Sequence, residues 1–103
     1  MLNISNDKIY RLIALTEHLN NYENNRSSNE QLLTFVNELS IEELSDVIAL
    51  MYFGRGDSSF SYLKEQFGAY EELREDFVNK IFEKRIALPR YLQDGLSQLG
   101  VDY

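Results

Sequence analysis

The residue types best suited to bind an anion lie in the Gly-Arg-Gly-Asp run at 54–57. Two glycines allow a sharp turn, and backbone amides beside a guanidinium can hold a carboxylate or a phosphate. Tyr52, Arg55 and Asp57 are therefore the candidate interaction residues. The alternative is a structural turn, in which Arg55 bonds neighbouring carbonyls or acids. In that case Asp57 caps the next helix, where its charge excludes an external anion.

Other residues that could carry chemistry are few or badly spaced. The chain has no cysteine and a single histidine, His18, which lies in neither a Glu-x-x-His nor a His-Glu-x-x-His pattern. His18 is therefore expected at the surface, and we expect no metal or cofactor site. Adjacent acids such as Glu42 and Glu43 diverge by about 100° on a helix, so they do not form a general acid–base pair. The sequence predicts no enzyme.

The charge of the chain restricts its partners. The net charge is -7, which disfavours direct nucleic-acid binding and adsorption to anionic membranes. Acidic residues are concentrated at 30–46, within a stretch that lacks Lys and Arg, whereas basic residues predominate at 80–90. No apolar run approaches the roughly 20 residues of a membrane span, and residues 1–8 do not resemble a secretory signal. We therefore expect a cytoplasmic protein with no membrane association.

Hydrophobic residues recur at helical spacing throughout the chain, and no segment shows the alternation of a strand. The pattern predicts an all-α fold, a compact single domain over 1–103 with five to six helices. The helices are predicted near 6–20, 29–39, 41–53, 58–67, 71–84 and 89–99. Their apolar stripes predict the core, in which Leu33 and Leu99 are included.

Capping signals mark the starts of the first three helices. Ser5 is a predicted N-cap, and Ser28 with Gln31 and Ser40 with Glu43 have the spacing of capping boxes.

The third helix is predicted to be central, because its apolar stripe widens toward Tyr52. Gly54 is the predicted left-handed residue that ends it, and Asp57 or Ser58 is the predicted cap of the fourth helix.

Tyrosine is unusually frequent, with seven in the chain. Five of them lie off the main apolar stripes or at their margins: Tyr10, Tyr22, Tyr62, Tyr70 and Tyr103. Exposed tyrosine is favoured at recognition surfaces because it offers a large area at low entropic cost. The alternative is half-buried tyrosine at the rim of a small core.

The run Ala-Leu-Met-Tyr-Phe-Gly-Arg-Gly-Asp at 49–57 resembles the signature of an uncharacterised bacterial family, domain of unknown function 3775. The helix start at 39–43, the Pro at 89 and the Tyr-Leu-x-x-Gly-Leu residues at 91–96 fit the same family. Tyr52-Phe53 replaces the family's Trp-Leu, and the segment before the last helix departs from its pattern. The resemblance implies a helical fold with 54–57 as its hallmark turn, and it implies no activity.

Three functions are compatible with these observations. The first is a non-enzymatic module that binds another protein or a second copy of itself. In the second case, the acidic 30–46 region of one subunit would contact the basic 80–90 region of the other. These two regions could instead touch within one monomer. The second is an acidic phage- or mobile-element-type inhibitor that covers a basic nucleic-acid-binding groove. The third is an anion or small-metabolite binder that uses Arg55 with Tyr52 and Asp57.

Overall fold

Helices make up most of the chain that the computed structural model describes, which is residues 2–21 and 26–100. The α-helices are α1 Asn6–Asn21, α2 Arg26–Asn37, α3 Ile41–Arg55, α4 Phe60–Gln66, α5 Arg74–Glu83 and α6 Leu88–Gln98. A short 3₁₀ helix, Glu71–Leu73, precedes α5. No strand occurs in the described ranges, and the all-α single-domain prediction is confirmed.

Helix α3 lies at the centre of the fold. Every residue from Leu44 to Met51 is buried, because α6, α4 and α5 all pack against this helix. A helix that is apolar on several sides is stable only when it is covered on several sides. The predicted central helix is confirmed.

Helices α1 and α2 cover the remaining side of the core. Ile9, Leu12 and Ile13 of α1 are fully buried, and α1 packs against both α6 and α2. Helix α2 contributes Leu32 and Val36. The radius of gyration is 12.7 Å, close to the value of about 13 Å expected for a folded domain of this length.

Two of the predicted caps are confirmed. The amide of Lys8 donates to the Ser5 hydroxyl, which caps α1. Ser40 and Glu43 form a complete capping box at the start of α3.

The second helix begins earlier than predicted, at Arg26, so Ser28 lies inside it rather than at its cap. The side chain of Ser28 lies outside the described residues, as do Tyr22 in the segment between the first two helices and Tyr103 at the end of the chain.

The turn after α3 differs from the prediction. Gly54 is helical, α3 continues to Arg55, and Gly56 is the left-handed cap with φ of 95°. Asp57 and Ser58 do not cap α4, because Ser59 does so by accepting a hydrogen bond from the Tyr62 amide at 3.3 Å.

Other predicted details also change. The fifth helix starts as the 3₁₀ turn Glu71–Leu73 and becomes α-helical at Arg74. Leu33 is 43% exposed, because α2 is an edge helix with a narrow buried stripe, and Leu99 is 37% exposed, because it lies past the end of α6. In the described part of the chain, no helix combines the length and apolarity needed to cross a bilayer.

Candidate functional site

The end of α3 and the turn after it bring the predicted interaction residues together. Tyr52 lies in the last turn of α3 and Arg55 is its final residue. At the left-handed Gly56 the chain reverses, and the Asp57 amide donates to the Tyr52 carbonyl at 3.1 Å. This reversal places the Asp57 side chain beside Arg55.

Arg55 and Asp57 form a two-pronged ion pair. The Arg55 Nε atom lies 2.8 Å from Asp57 Oδ1, and Arg55 Nη2 lies 2.5 Å from Asp57 Oδ2. The fork of a guanidinium matches the two oxygens of a carboxylate, so this geometry is stronger than a single contact. Both side chains are about one third exposed, and solvent therefore weakens the pair.

Aromatic rings connect this ion pair to the core. The Arg55 guanidinium carbon lies 4.7 Å from the centre of the Tyr52 ring, a cation–π distance. Tyr52 stacks on Phe67 with centres 5.1 Å apart, and Phe67 meets the buried Phe77 edge-on at 6.4 Å. The guanidinium is therefore held in place from below by the rings and from one side by Asp57.

The ion pair shifts the pKa of both partners. The hydrogen bond from Arg55 lowers the pKa of Asp57, and the charges of Arg55 and Lys84 act in the same direction. The hydrogen bond to Asp57 raises the pKa of Arg55. Both groups stay charged and neutralise each other, so the guanidinium fork is already occupied. The geometry therefore favours the structural turn over an anion site. Asp57 excludes an external anion because it pairs with Arg55, whereas the sequence predicted that it would do so as the cap of α4.

Gly54 has a different task from the one predicted for it. A Cβ atom at this position would overlap the backbone of Tyr91 and would lie 2.9 Å from the amide nitrogen of Gly95. On the other side of the crossing, a Cβ atom at Gly95 would lie 2.8 Å from the Leu50 carbonyl oxygen. These two glycines let α3 and α6 touch backbone to backbone. The role of Gly95 was not predicted, although a glycine inside a helical pattern is a signal of close packing.

Asp46 belongs to the core and not to the acidic surface that the sequence suggested. Its carboxylate is fully buried and accepts hydrogen bonds from the amides of Asn3 and Ile4 and from the Lys64 ammonium group. It ties the N-terminal segment and α4 to the central helix. The signal that could have identified it is its position as the one charged residue in 44–51, a segment that is otherwise apolar except for Ser45.

The connection between α5 and α6 presents an apolar side chain to solvent. Ile86 is 77% exposed, and the carbonyls of Arg85 and Ile86 accept hydrogen bonds from the Asn20 side-chain amide at 3.0 and 3.2 Å. A surface groove of about 300 Å³ adjoins it, lined by Glu17, Asn20, Ile86, Pro89, Arg90 and Gln93.

A second groove, of about 460 Å³, runs between α1 and α2. Its lining residues are Arg11, Leu15, Glu30, Gln31, Thr34, Phe35 and Glu38. Neither groove includes the predicted interaction residues. The exposed His18 joins no group of three or more potential metal-binding side chains in the described ranges.

Comparison with known proteins gives a family and no relative of known activity. Neither a curated protein nor a solved structure matches the chain. A family model matches residues 29–101, which is most of the chain and includes the 54–57 turn and all of α6. The chain therefore belongs to the family described as protein of unknown function (DUF3775).

Proposed function

We propose that this chain is a non-enzymatic protein-binding module whose contact surface is centred on Ile86. The observation that carries the proposal is a large apolar side chain, 77% exposed, on a connection held by hydrogen bonds. Burying such a side chain is favourable by about 1.5–3 kcal/mol, so a partner that covers it gains affinity.

The backbone around Ile86 holds this side chain outward. Besides the two bonds from Asn20, the Leu88 amide donates to the Lys84 carbonyl at 2.8 Å, and the Ala87 amide donates to the same carbonyl at 3.1 Å. A pre-ordered contact loses little conformational entropy on binding.

The charges near Ile86 give the contact a polar rim. Lys84 and Arg85 precede it in the chain, Arg90 lines the same groove, and Arg85 and Arg90 are exposed. An apolar centre inside a charged rim is the usual composition of a protein interface. The rim carries both signs of charge, because Glu17 lines the same groove as Arg90, so a partner with complementary charges is favoured and binding should weaken as salt is added.

The test compares two exposed side chains by affinity capture from the cells that carry the gene. Ile86→Ser should lose the captured protein, whereas Tyr62→Ser should retain it, since Tyr62 is 56% exposed on a different helix. Titration of the purified partner should then show at least about tenfold weaker binding for Ile86→Ser. Equal binding by both variants and the wild type would contradict the proposal.

A second candidate function is the acidic inhibitor of a nucleic-acid-binding protein. It is supported by Arg74, whose Nη1 atom donates to the Leu39 carbonyl at 2.8 Å and so joins the α2–α3 connection to the start of α5. Arg74 pairs with Glu71 at 2.5 Å, and the charge of the exposed Glu42 also acts on it. Glu72 and Glu75, close to Arg74 in the chain, are exposed as well. Carboxylates from the start of α3 and from the 3₁₀ helix are thereby brought near one cation.

Charge reversal tests this candidate without disturbing the core. Glu42→Lys with Glu75→Lys should abolish the capture of a DNA- or RNA-processing enzyme, and Glu17→Lys, elsewhere on the surface, should not. Asp46 is unsuitable for such a test because it is buried. Capture that is unchanged by the double reversal, or insensitive to salt, would exclude the inhibitor.

A further inference from the structure

The surface around Ile86 carries a protrusion and a recess side by side. The Ile86 side chain protrudes, and the adjoining groove of about 300 Å³ lies between the end of α1 and the start of α6. We call the six residues that line this groove the Ile86 patch; they are Glu17, Asn20, Ile86, Pro89, Arg90 and Gln93.

We propose that the Ile86 patch is a self-association surface, on which two copies of the chain meet about a two-fold axis with the Ile86 of each seated in the groove of the other. The inference rests on the proposed function and names its partner. A two-fold contact requires a surface that is complementary to itself, and a protrusion beside a recess meets that requirement.

The charges of the patch are also complementary to themselves. Glu17 lies on the α1 side of the groove and Arg90 on the α6 side, and Arg85 lies in the connection that precedes α6. Two-fold symmetry brings the Glu17 of each copy toward the arginines of the other, so the favourable pairing occurs twice. The chain as a whole carries a net charge of -7, so most other surfaces of two copies repel each other.

The local contacts of the patch leave Arg90 available, whereas the Arg85 Nη1 atom donates to the Phe82 carbonyl at 2.9 Å. The Arg90 side chain is 84% exposed, and its Nε atom lies 3.7 Å from Asp94, a long separation for an ion pair. Exposed pairs of this kind contribute little, so Arg90 can exchange Asp94 for Glu17 of a second copy at low cost. Asn20 meanwhile holds the 85–86 backbone, which keeps Ile86 in place.

The groove between α1 and α2 is the alternative binding site for the Ile86 side chain of a second copy. Glu30 and Glu38 line it, as the predicted meeting of the 30–46 and 80–90 regions would require. Leu15 of this groove and Glu17 of the Ile86 patch are about 200° apart around α1, so the two surfaces face different directions. A contact between them is head-to-tail and would build open chains or closed rings, whereas the Ile86 patch closes at two copies through a two-fold contact.

Sedimentation equilibrium of the full chain tests the proposal, from about 10 µM to about 1 mM, the range expected for a small interface. The expected result is a monomer–dimer equilibrium that weakens in high salt. Ile86→Ser should lower the association constant at least about tenfold, and Tyr62→Ser should leave it unchanged. A monomer throughout the range would overturn the proposal. So would an average mass that rises above that of a dimer and is reduced by Glu38→Lys, because that result would indicate the head-to-tail contact.

A charge exchange tests the two-fold arrangement directly. Glu17→Arg alone, and Arg85→Glu with Arg90→Glu, should each suppress the dimer, because each then opposes like charges at both contacts. A mixture of the two variants should form a heterodimer, since both contacts are again complementary. Failure of the mixture to associate, while the wild type dimerises, would overturn the arrangement.

The outcomes separate this inference from the proposed function. If the wild type is monomeric but Ile86→Ser still abolishes capture of another protein, the self-association proposal is wrong and the proposed protein-binding surface is supported. If neither self-association nor capture of another protein depends on Ile86, both proposals are wrong.

Discussion

At the scale of single residues, Asp46 is the clearest case of a charge that organises the fold. It is a carboxylate on the central helix, fully buried, with three donors from two other parts of the chain. A carboxylate can accept several hydrogen bonds at once, whereas its amide analogue must also place two donors.

Asp46→Asn should therefore destabilise the protein by about 2–4 kcal/mol. The new NH₂ group must face either the Lys64 ammonium or the amides of Asn3 and Ile4, which are all donors. Urea denaturation measures the change, and Glu65→Gln on exposed α4 surface is the control, expected to shift stability by less than about 0.5 kcal/mol. Equal stability of the two variants would show that the buried charge is dispensable.

Glu43 makes the stability of the folded protein depend on pH. Burial is the largest single influence and raises its pKa, but hydrogen bonds from Lys8 and Ser40 together outweigh burial and lower it below the ordinary value of 4.5. The unfolded chain therefore binds a proton more readily than the folded one. The contribution of Glu43 is fully present above the unfolded pKa and is lost as the pH falls through the lower folded value.

Glu43→Gln should cost about 0.5–1 kcal/mol near neutral pH, and the cost should vanish in acid. The reason is that glutamine retains the capping bond to Ser40 but not the charge that pairs with Lys8 at 2.7 Å. Urea titrations at a series of pH values from about 6 to about 3 provide the measurement. A difference that stays constant across this range would contradict the assignment.

At the scale of elements, the crossing of α3 and α6 depends on two glycines. The 54–57 run was predictable as a turn, since two glycines beside a capped apolar helix signal a chain reversal. Which of the two glycines adopts the left-handed conformation was not predictable, because Gly54 and Gly56 both lie where a helix could end. Gly54 is required for another reason, the close contact with α6, since the backbone of Tyr91 occupies the space that a Cβ atom at Gly54 would need. The left-handed turn is therefore made by Gly56.

Gly54→Ala and Gly56→Ala should therefore destabilise the fold for different reasons. Gly54→Ala forces α3 and α6 apart and should cost about 3 kcal/mol, in spite of the better helix propensity of alanine. Gly56→Ala meets no atom within 4 Å, and only its φ of 95° opposes the substitution, at about 1–2 kcal/mol. Thermal and urea unfolding compare the two, and a larger loss for Gly56→Ala would refute this division of roles.

At the scale of the whole molecule, the family match and the core do not coincide. The match begins at residue 29, yet α1, which lies before it, buries Ile9, Leu12 and Ile13 completely. Helical periodicity predicted this helix and the other five well, because each has an apolar stripe of its own. Their arrangement, and with it the exposure of Leu33, depends on contacts between distant segments that spacing along the chain does not encode.

Removal of residues 1–28 should leave a chain that does not fold cooperatively. The three fully buried apolar side chains of α1 alone supply about 5–9 kcal/mol, comparable with the whole stability of a small domain. Circular dichroism during urea denaturation measures this, with the full chain as control. A cooperative transition near that of the full chain would show that residues 29–103 fold by themselves.

The Asn20 side chain, finally, has a consequence for proteolysis. The peptide bond after Arg85 has the residue type that trypsin selects and lies on an exposed connection. Its carbonyl, however, already accepts a hydrogen bond from Asn20, and the 84–87 backbone is folded into a turn and not extended as a protease requires. Cleavage at this bond therefore needs local opening, and loss of the Asn20 amide should make that opening easier and the cleavage faster.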